Sequence, residues 1–124
     1  MREIKFRAWD GQQMHYNVVV VDGIGYKRGS IGMIYAHGAR AGIPMQYTGL
    51  KDKNGREIYE GDIAKSRKRL FVARWNNDIA SFVWKPLDSE ISHPCFNVGT
   101  VKNMEIVGNV YENPELLEDE KRLI

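Results

Sequence analysis

The sequence predicts an all-β fold made of small barrel-like sub-units, and three observations carry that expectation. Apolar and polar residues alternate with period two over Ile4–Trp9, and Leu70–Trp75 and Ile79–Trp84 read as the two arms of a hairpin. Turn signals such as Asp10-Gly11, Asn54-Gly55 and Asn76-Asn77-Asp78 separate those runs. Six Tyr, four Phe and three Trp sit mostly among β-branched residues, a mixture that suits half-buried pleated surfaces.

The elements follow in order. Ile4, Phe6 and Ala8 alternate with Lys5, Arg7 and Trp9, the period-two pattern of a half-buried strand. After Asp10-Gly11, Met14–Val21 continues as a strand whose Val18–Val21 portion is apolar on both faces, so a central position is expected. Residues 22–43 are glycine-rich without a clear period until Ile31–Tyr35, and read as a variable hairpin or excursion. Ile43–Leu50 and Arg56–Tyr59 flank Asn54-Gly55, a pair that favours a two-residue turn with positive φ at both positions. From Gly61 a meander follows, with strands predicted from Asp62, over Leu70–Trp75, Ile79–Trp84, Phe96–Val101 and Met104–Tyr111, and a loop over Pro86–Pro94. Residues 57–112 have the five-short-strand rhythm of an SH3-like barrel. Asn113-Pro114-Glu115 starts a short C-terminal helix: Asn as cap, Pro in the first helical position, Glu in the first turn.

A chain of 124 residues with 43% hydrophobic residues can bury a core without disulfide or metal staples. It reads as one domain over 1–124, with sub-units 1–56 and 57–112 and a tail 113–124. No apolar run approaches the ~20 residues that span a bilayer, and the N-terminal stretch lacks the apolar centre of a signal peptide. One cysteine, Cys95, cannot make an internal disulfide, so the cytosol is the expected compartment.

The net charge of +2 is unevenly spread. Lys65, Arg67, Lys68, Arg69 and Arg74 fall in a stretch without a carboxylate, while Glu112, Glu115, Glu118, Asp119 and Glu120 fall in one without a cation. Small β-barrels bind single strands through cationic grooves with stacking aromatics, so Lys65, Arg67, Lys68, Arg69, Arg74 and Trp75 are nucleic-acid-binding candidates. The plainer reading of such a run is a solvated hairpin tip or an edge guard against aggregation. Opposed charge blocks also suggest self-association, with Glu115, Leu116, Glu118, Asp119 and Glu120 docking on the basic stretch of the same or a neighbouring subunit.

Signals for other chemistry are weak. His15, His37, His93 and Cys95 are scattered, and His93-Pro94-Cys95 alone lacks the four ligands of a structural zinc site. The same spacing is poor support for a cysteine nucleophile. Glu60 and Asp62 share a strand face, but nothing converges on them. Gly23-Ile-Gly25 and Gly29-Ser-Ile-Gly32 lack dinucleotide-fingerprint spacing. No cofactor and no enzymatic activity are expected.

Three longer blocks are more specific: Arg2-Glu-Ile-Lys-Phe-Arg-Ala-Trp-Asp10, the run Met45-Gln-Tyr-Thr-Gly-Leu-Lys-Asp-Lys-Asn-Gly-Arg-Glu-Ile-Tyr-Glu-Gly-Asp-Ile63, and Ile106-Val-Gly-Asn-Val-Tyr-Glu-Asn-Pro-Glu-Leu-Leu117. In order and spacing they resemble the YopX family of bacteriophage and prophage proteins. The resemblance implies a mostly-β fold with barrel-like sub-units and a phage or prophage origin, and implies no activity or catalytic residue. Within the blocks, Gly49, Gly55, Gly61 and Gly108 are candidates for positive φ or close backbone approach. Asp10, Asp52, Asp62 and Asn109 are candidates to bond nearby amides. Trp9, Tyr47, Tyr59 and Tyr111 are amphipathic rings suited to sealing the junction between sub-units, or alternatively to a binding surface. The sequence therefore favours a cytosolic, phage-encoded, non-enzymatic interaction or scaffold protein. The alternative is a nucleic-acid-binding accessory protein using residues 65–74.

Overall fold

In the computed structural model the described residues are 3–21, 23–27, 40–89 and 96–117, and the chain divides into two compact units, Met1–Tyr47 and Thr48–Ile124. Both are built from antiparallel strands, as the period-two runs require.

The first unit holds β1 (Phe6–Trp9), β2 (Met14–Val21), β3 (Ile24–Lys27) and the opening part of β4 (Arg40–Lys51). β1 pairs with β2 along one edge and with β4 along the other, and β4 also pairs with β3. In this central position Arg7 lies opposite both Tyr16 and Met45 and is only 1% exposed, on the polar side of the period-two alternation. A strand paired on both edges is interior to its sheet, so the side chains of both neighbouring strands flank Arg7 on its own face. Ala8, Val18 and the partly buried Phe6 form a small apolar cluster in this unit. The register slips between Phe6 and Arg7, so Asn17 is the extra residue of a β-bulge and takes a left-handed φ of 61°.

Two local devices hold this unit's turns and crossings. Asp10 Oδ1 accepts the Gln12 and Gln13 amides at 2.7 and 2.8 Å, and its Oδ2 lies 2.7 Å from His15 Nε2. The β1–β2 turn is thereby closed by one carboxylate. Gly42 has a φ of 94°, and a Cβ there would overlap the Trp9 carbonyl oxygen on β1. The β1–β4 crossing therefore needs glycine both for conformation and for space.

The second unit contains the end of β4, β5 (Glu57–Tyr59), and a four-stranded sheet ordered β8-β7-β6-β9. Its strands are β6 (Asp62–Ser66), β7 (Arg69–Asn76), β8 (Ser81–Pro86) and β9 (Glu105–Asn109). Five strands thus fall within residues 57–112; β5 pairs with β4 and the other four form the open sheet. One face carries the main core, in which Ile58, Phe71, Ala73, Trp84, Met104 and Ile106 pack together. Trp84 is fully buried and stacks on Phe96 at 4.6 Å between ring centroids.

Phe96–Val101 was expected as a strand, but Val98–Val101 is a one-turn helix, α1. Asn97 and Thr100 form a reciprocal capping box: Thr100 N donates to Asn97 Oδ1 at 3.0 Å, and Asn97 N donates to Thr100 Oγ1 at 3.1 Å. These bonds satisfy amides that a ladder would otherwise take. Ile79, expected to open β8, lies in the preceding turn and is 52% exposed. Residues 114–117 are helical after Asn113, as its cap and Pro114 predict. Cys95, His93 and His37, and most of 22–43, lie outside the described residues.

Two predictions follow from these local devices. Gly42→Ala should lower unfolding stability by roughly 2–4 kcal/mol, because a strained φ and a backbone overlap coincide, read from urea denaturation. The Asp10 carboxyl is held well below the usual carboxylate range, chiefly by the His15 bond and then by the Gln13 and Gln12 amides. Its folded-state pKa lies below the unfolded value, so its contribution is present above about pH 4 and fades as pH falls below that. Asp10→Asn should therefore be less stable than the parent at pH 6, with the two converging as acid is added; a gap independent of pH contradicts this.

Candidate functional site

Two sets of residues compete as the site: the polar residues of the sequence blocks and the basic stretch. The block residues come first because the fold positions them most tightly. Arg7, Asp52, Asp62 and Asn109 are the buried polar side chains among the described residues, and every one lies in a block. Burying such groups is costly unless hydrogen bonds compensate.

For three of them the compensation is backbone. Asp52 Oδ1 accepts the amides of Asn54 and Arg56 at 2.8 and 2.9 Å, and its Oδ2 accepts the Ile106 amide at 2.9 Å. Asp52 thus shapes the turn after β4 and ties it to β9. Asp62 Oδ2 accepts the Tyr59 amide at 2.8 Å and so closes the turn between β5 and β6. Asn109 Oδ1 accepts Tyr111 and Glu112 amides at 3.0 and 2.8 Å, and its Nδ2 donates to Glu112 Oε1 at 2.7 Å. Asn113 Oδ1 accepts the Asn109 amide at 3.1 Å, and a Cβ on Gly108 would meet that oxygen at 2.5 Å. Gly108 is therefore the space the Asn113 side chain needs.

The turn itself differs from the two-residue form expected at Asn54-Gly55. Gly55 N donates to Asp52 O at 3.0 Å and Asp52 N to Arg56 O at 2.8 Å, while Gly55 alone takes a positive φ, of 82°. This is a three-residue loop with its left-handed residue last. Of the four rings, Tyr47 and Tyr59 are buried and Trp9 and Tyr111 half-buried.

The basic stretch is divided. Lys65 lies in β6, exposed, in register with Leu70 and Glu105. Arg67 and Lys68 form the β6–β7 turn, Arg67 at a left-handed φ of 58°. Arg69 grips Asp88 through Nη2 to Oδ1 at 2.7 Å and Nε to Oδ2 at 3.2 Å. That bond pulls the Asp88 carboxyl below its usual range. Arg69 is thus largely neutralised where it stands.

Arg74 and Trp75 sit at the opposite end of β7, six residues from Lys68 and so ~20 Å away along an extended strand. There Trp75 is 44% exposed, its Nε1 donates to Asn77 Oδ1 at 2.8 Å, and its ring meets Phe82 edge-on at 5.1 Å. Arg74 makes no ion pair among the described residues. An open cleft of about 350 Å³ is lined by Arg74, Trp75, Asn76, Asn77, Asp78 and Val83. Arg74 pairs with Val83 and Trp75 with Phe82, consecutive positions whose side chains take opposite faces of the sheet, and both lie at the far end of β7 from Lys65, Arg67, Lys68 and Arg69. Asn76 and Asn77 were missed as companions because they read only as turn residues.

Of the acidic set, Glu115 is exposed and takes a 3.4 Å bond from Asn113 Nδ2, and Leu116 is half-buried. Glu118, Asp119 and Glu120 lie outside the described residues. Among the described residues no three His, Cys, Asp or Glu side chains gather as metal ligands. Nor is any described helix long and apolar enough to cross a membrane.

The two sets should respond differently to mutation. Asp52→Ala leaves three amides without their acceptor and should cost roughly 2–4 kcal/mol of stability. Lys68→Ala, at an exposed turn, should change stability by no more than about 0.5 kcal/mol. Guanidinium denaturation of both variants measures the contrast; equal losses contradict it.

Comparisons with known proteins agree with the architecture. The chain is similar to protein EF1440 from Enterococcus faecalis, whose crystal structure superposes with a TM-score of 0.65 at 29% identity, over 94% of this chain and 99% of that one. No curated protein matches. The sequence model of the YopX protein family matches residues 5–118, a span that includes nearly all of the three blocks whose buried polar residues organise the fold. The chain belongs to the YopX family.

Proposed function

We propose that this protein is a non-enzymatic interaction or scaffold protein, phage- or prophage-encoded and acting in the bacterial cytosol. The observation that carries the reading is the use made of the block residues. Asp52, Asp62 and Asn109 spend their acceptors on backbone amides, so the most specific parts of the sequence are committed to shape. Exposed cations and the half-exposed Trp75 remain for contact with something else. The setting rests on the family resemblance and on a single cysteine.

Self-association is part of this proposal. The acidic residues Glu115, Glu118, Asp119 and Glu120 complement the exposed Lys65, Arg67 and Lys68, and Leu116 adds apolar contact. Docking between copies would use both charge blocks at once and would weaken with salt. Light scattering of the full chain and of a chain lacking residues 118–124 tests it. Truncation there spares Asn113, which caps the turn after β9. The expected result is a multimer whose mass falls on truncation and in high salt. A full chain of monomer mass, or a mass that truncation leaves unchanged, overturns self-association.

A further inference from the structure

We propose that three turns at one end of the second unit form a contact surface for the phosphate backbone of a double-stranded nucleic acid. The turns are far apart in sequence, and strand pairing gathers them. Ser66 and Arg69 are partners across the β6–β7 turn, which leaves Arg67 and Lys68 at its tip. Lys65, beside Ser66 on β6, is in register with Glu105 at the start of β9, so their side chains share a face. Lys53 joins them from the turn after β4. Its amide donates to Met104 O at 3.0 Å, and its Nζ lies 3.6 Å from Glu105 Oε2. The bond from the Ile106 amide to Asp52 fixes that turn against β9. Lys102 ends α1 and stands in the turn that leads to Met104 and β9.

The end so assembled is cationic. Lys53, Arg56, Lys65, Arg67, Lys68 and Lys102 are all exposed. Apart from Lys53, none of them makes an ion pair among the described residues. The carboxylates on the same elements offset little of this. Asp52 is buried on backbone amides, Glu105 is bridged to Lys53, and Glu57 is half-buried on β5. Neighbouring strands are ~5 Å apart, so the cations fall within about 15 Å of one another, close to the ~10 Å over which charges are felt at 0.1 M salt. They therefore act on a polyanion together. This surface is not the basic stretch of the sequence: Arg69 is engaged by Asp88 and Arg74 lies at the other end of β7, while Lys53, Arg56 and Lys102 are added by the fold.

The residue types say which polyanion. Single strands are held largely by stacking bases on aromatic rings. The exposed rings among the described residues are Tyr16, on β2 of the first unit, and Trp75, at the far end of β7, so neither belongs to these turns. Cations without rings fit the regular phosphates of a duplex and leave its bases unread. The lysines among them are flexible point charges, which follow phosphates without fixing a sequence register. The acidic segment of another copy is the rival occupant. It carries Lys121 and Arg122 directly after Glu118, Asp119 and Glu120, so a duplex offers the denser negative charge.

The test is fluorescence anisotropy with two labelled DNA duplexes of unrelated sequence, one of their single strands, and a labelled Glu/Asp-rich peptide. Each is titrated at 50 and 200 mM salt with the full chain and with Lys53→Glu, Lys68→Glu, Lys102→Glu and Arg74→Glu, all checked for folding by circular dichroism. The expected result is salt-sensitive binding of both duplexes within about twofold of each other, and more tightly than the single strand or the peptide. Lys53→Glu, Lys68→Glu and Lys102→Glu, one from each turn, should each weaken it about threefold or more and make the salt slope shallower. Arg74→Glu makes the same change of net charge outside the surface and should weaken it by less than about twofold. No duplex binding at 50 mM salt overturns the proposal, as does tighter binding of the single strand or the peptide. Equal losses from Arg74→Glu and the three turn variants also overturn it, since net charge alone would then account for binding. The mass of the full chain is a separate measurement and decides self-association whichever way these titrations fall.

Discussion

The Asp52 carboxylate is the interaction on which the second unit depends. It binds the Asn54 and Arg56 amides beside it and the Ile106 amide 54 residues further on. One oxygen shapes the turn between β4 and β5, and the other satisfies an outward-facing amide on β9, an edge of the four-stranded sheet. An edge strand with open amides invites other chains to pair with it. Here the Ile106 amide is taken by a side chain from within the unit, so local turn geometry and long-range sheet position become one condition. The carboxylate's burial raises the stakes, since a missing partner would leave a desolvated charge or amide.

Asp62 and Asn109 repeat the arrangement at the other end of β6 and β9, where they lie opposite each other in register. Asp62 orders the turn into β6, and Asn109 orders the turn out of β9. Gly61, next to Asp62 in the chain, donates to Ala73 O at 2.8 Å and accepts from Val110 N at 2.9 Å. Residues distant in sequence are therefore pinned by short polar side chains at strand ends, while the apolar interior supplies the bulk of the burial. Such an arrangement gives the long, particular sequence blocks a structural reason: turns closed by buried polar side chains tolerate few alternatives.

Much of this was legible in the residues. The apolar run from Leu70 and the turn signal Asn76-Asn77-Asp78 located β7, in which Phe71 and Ala73 join the main core. Asp52, Asp62 and Asn109 stood out as short polar residues beside glycines, which is where side-chain-to-backbone bonds form. Other features were hidden because they arise from tertiary neighbours. Arg7 reads only as a polar position of an alternating run, and its burial shows once β1 is seen between two strands. Phe96–Val101 has strand composition, yet the Asn97–Thr100 capping box turns it into α1. Charge clustering in sequence overstated the basic patch, since a strand and a turn carry Lys68 and Arg74 to opposite ends of β7 and Asp88 answers Arg69.

The central claim is that the block residues are engaged in holding the fold as one cooperative unit. Native-state amide hydrogen exchange of Asn54, Arg56 and Ile106 tests it most directly, because these three amides share the Asp52 carboxylate. All three should exchange with one free energy of opening, equal to that of the most protected amides of β6 and β7. Exchange of Asn54 and Arg56 through a small local opening, while Ile106 stays protected, would show the turn to be separable from the sheet and would contradict the account.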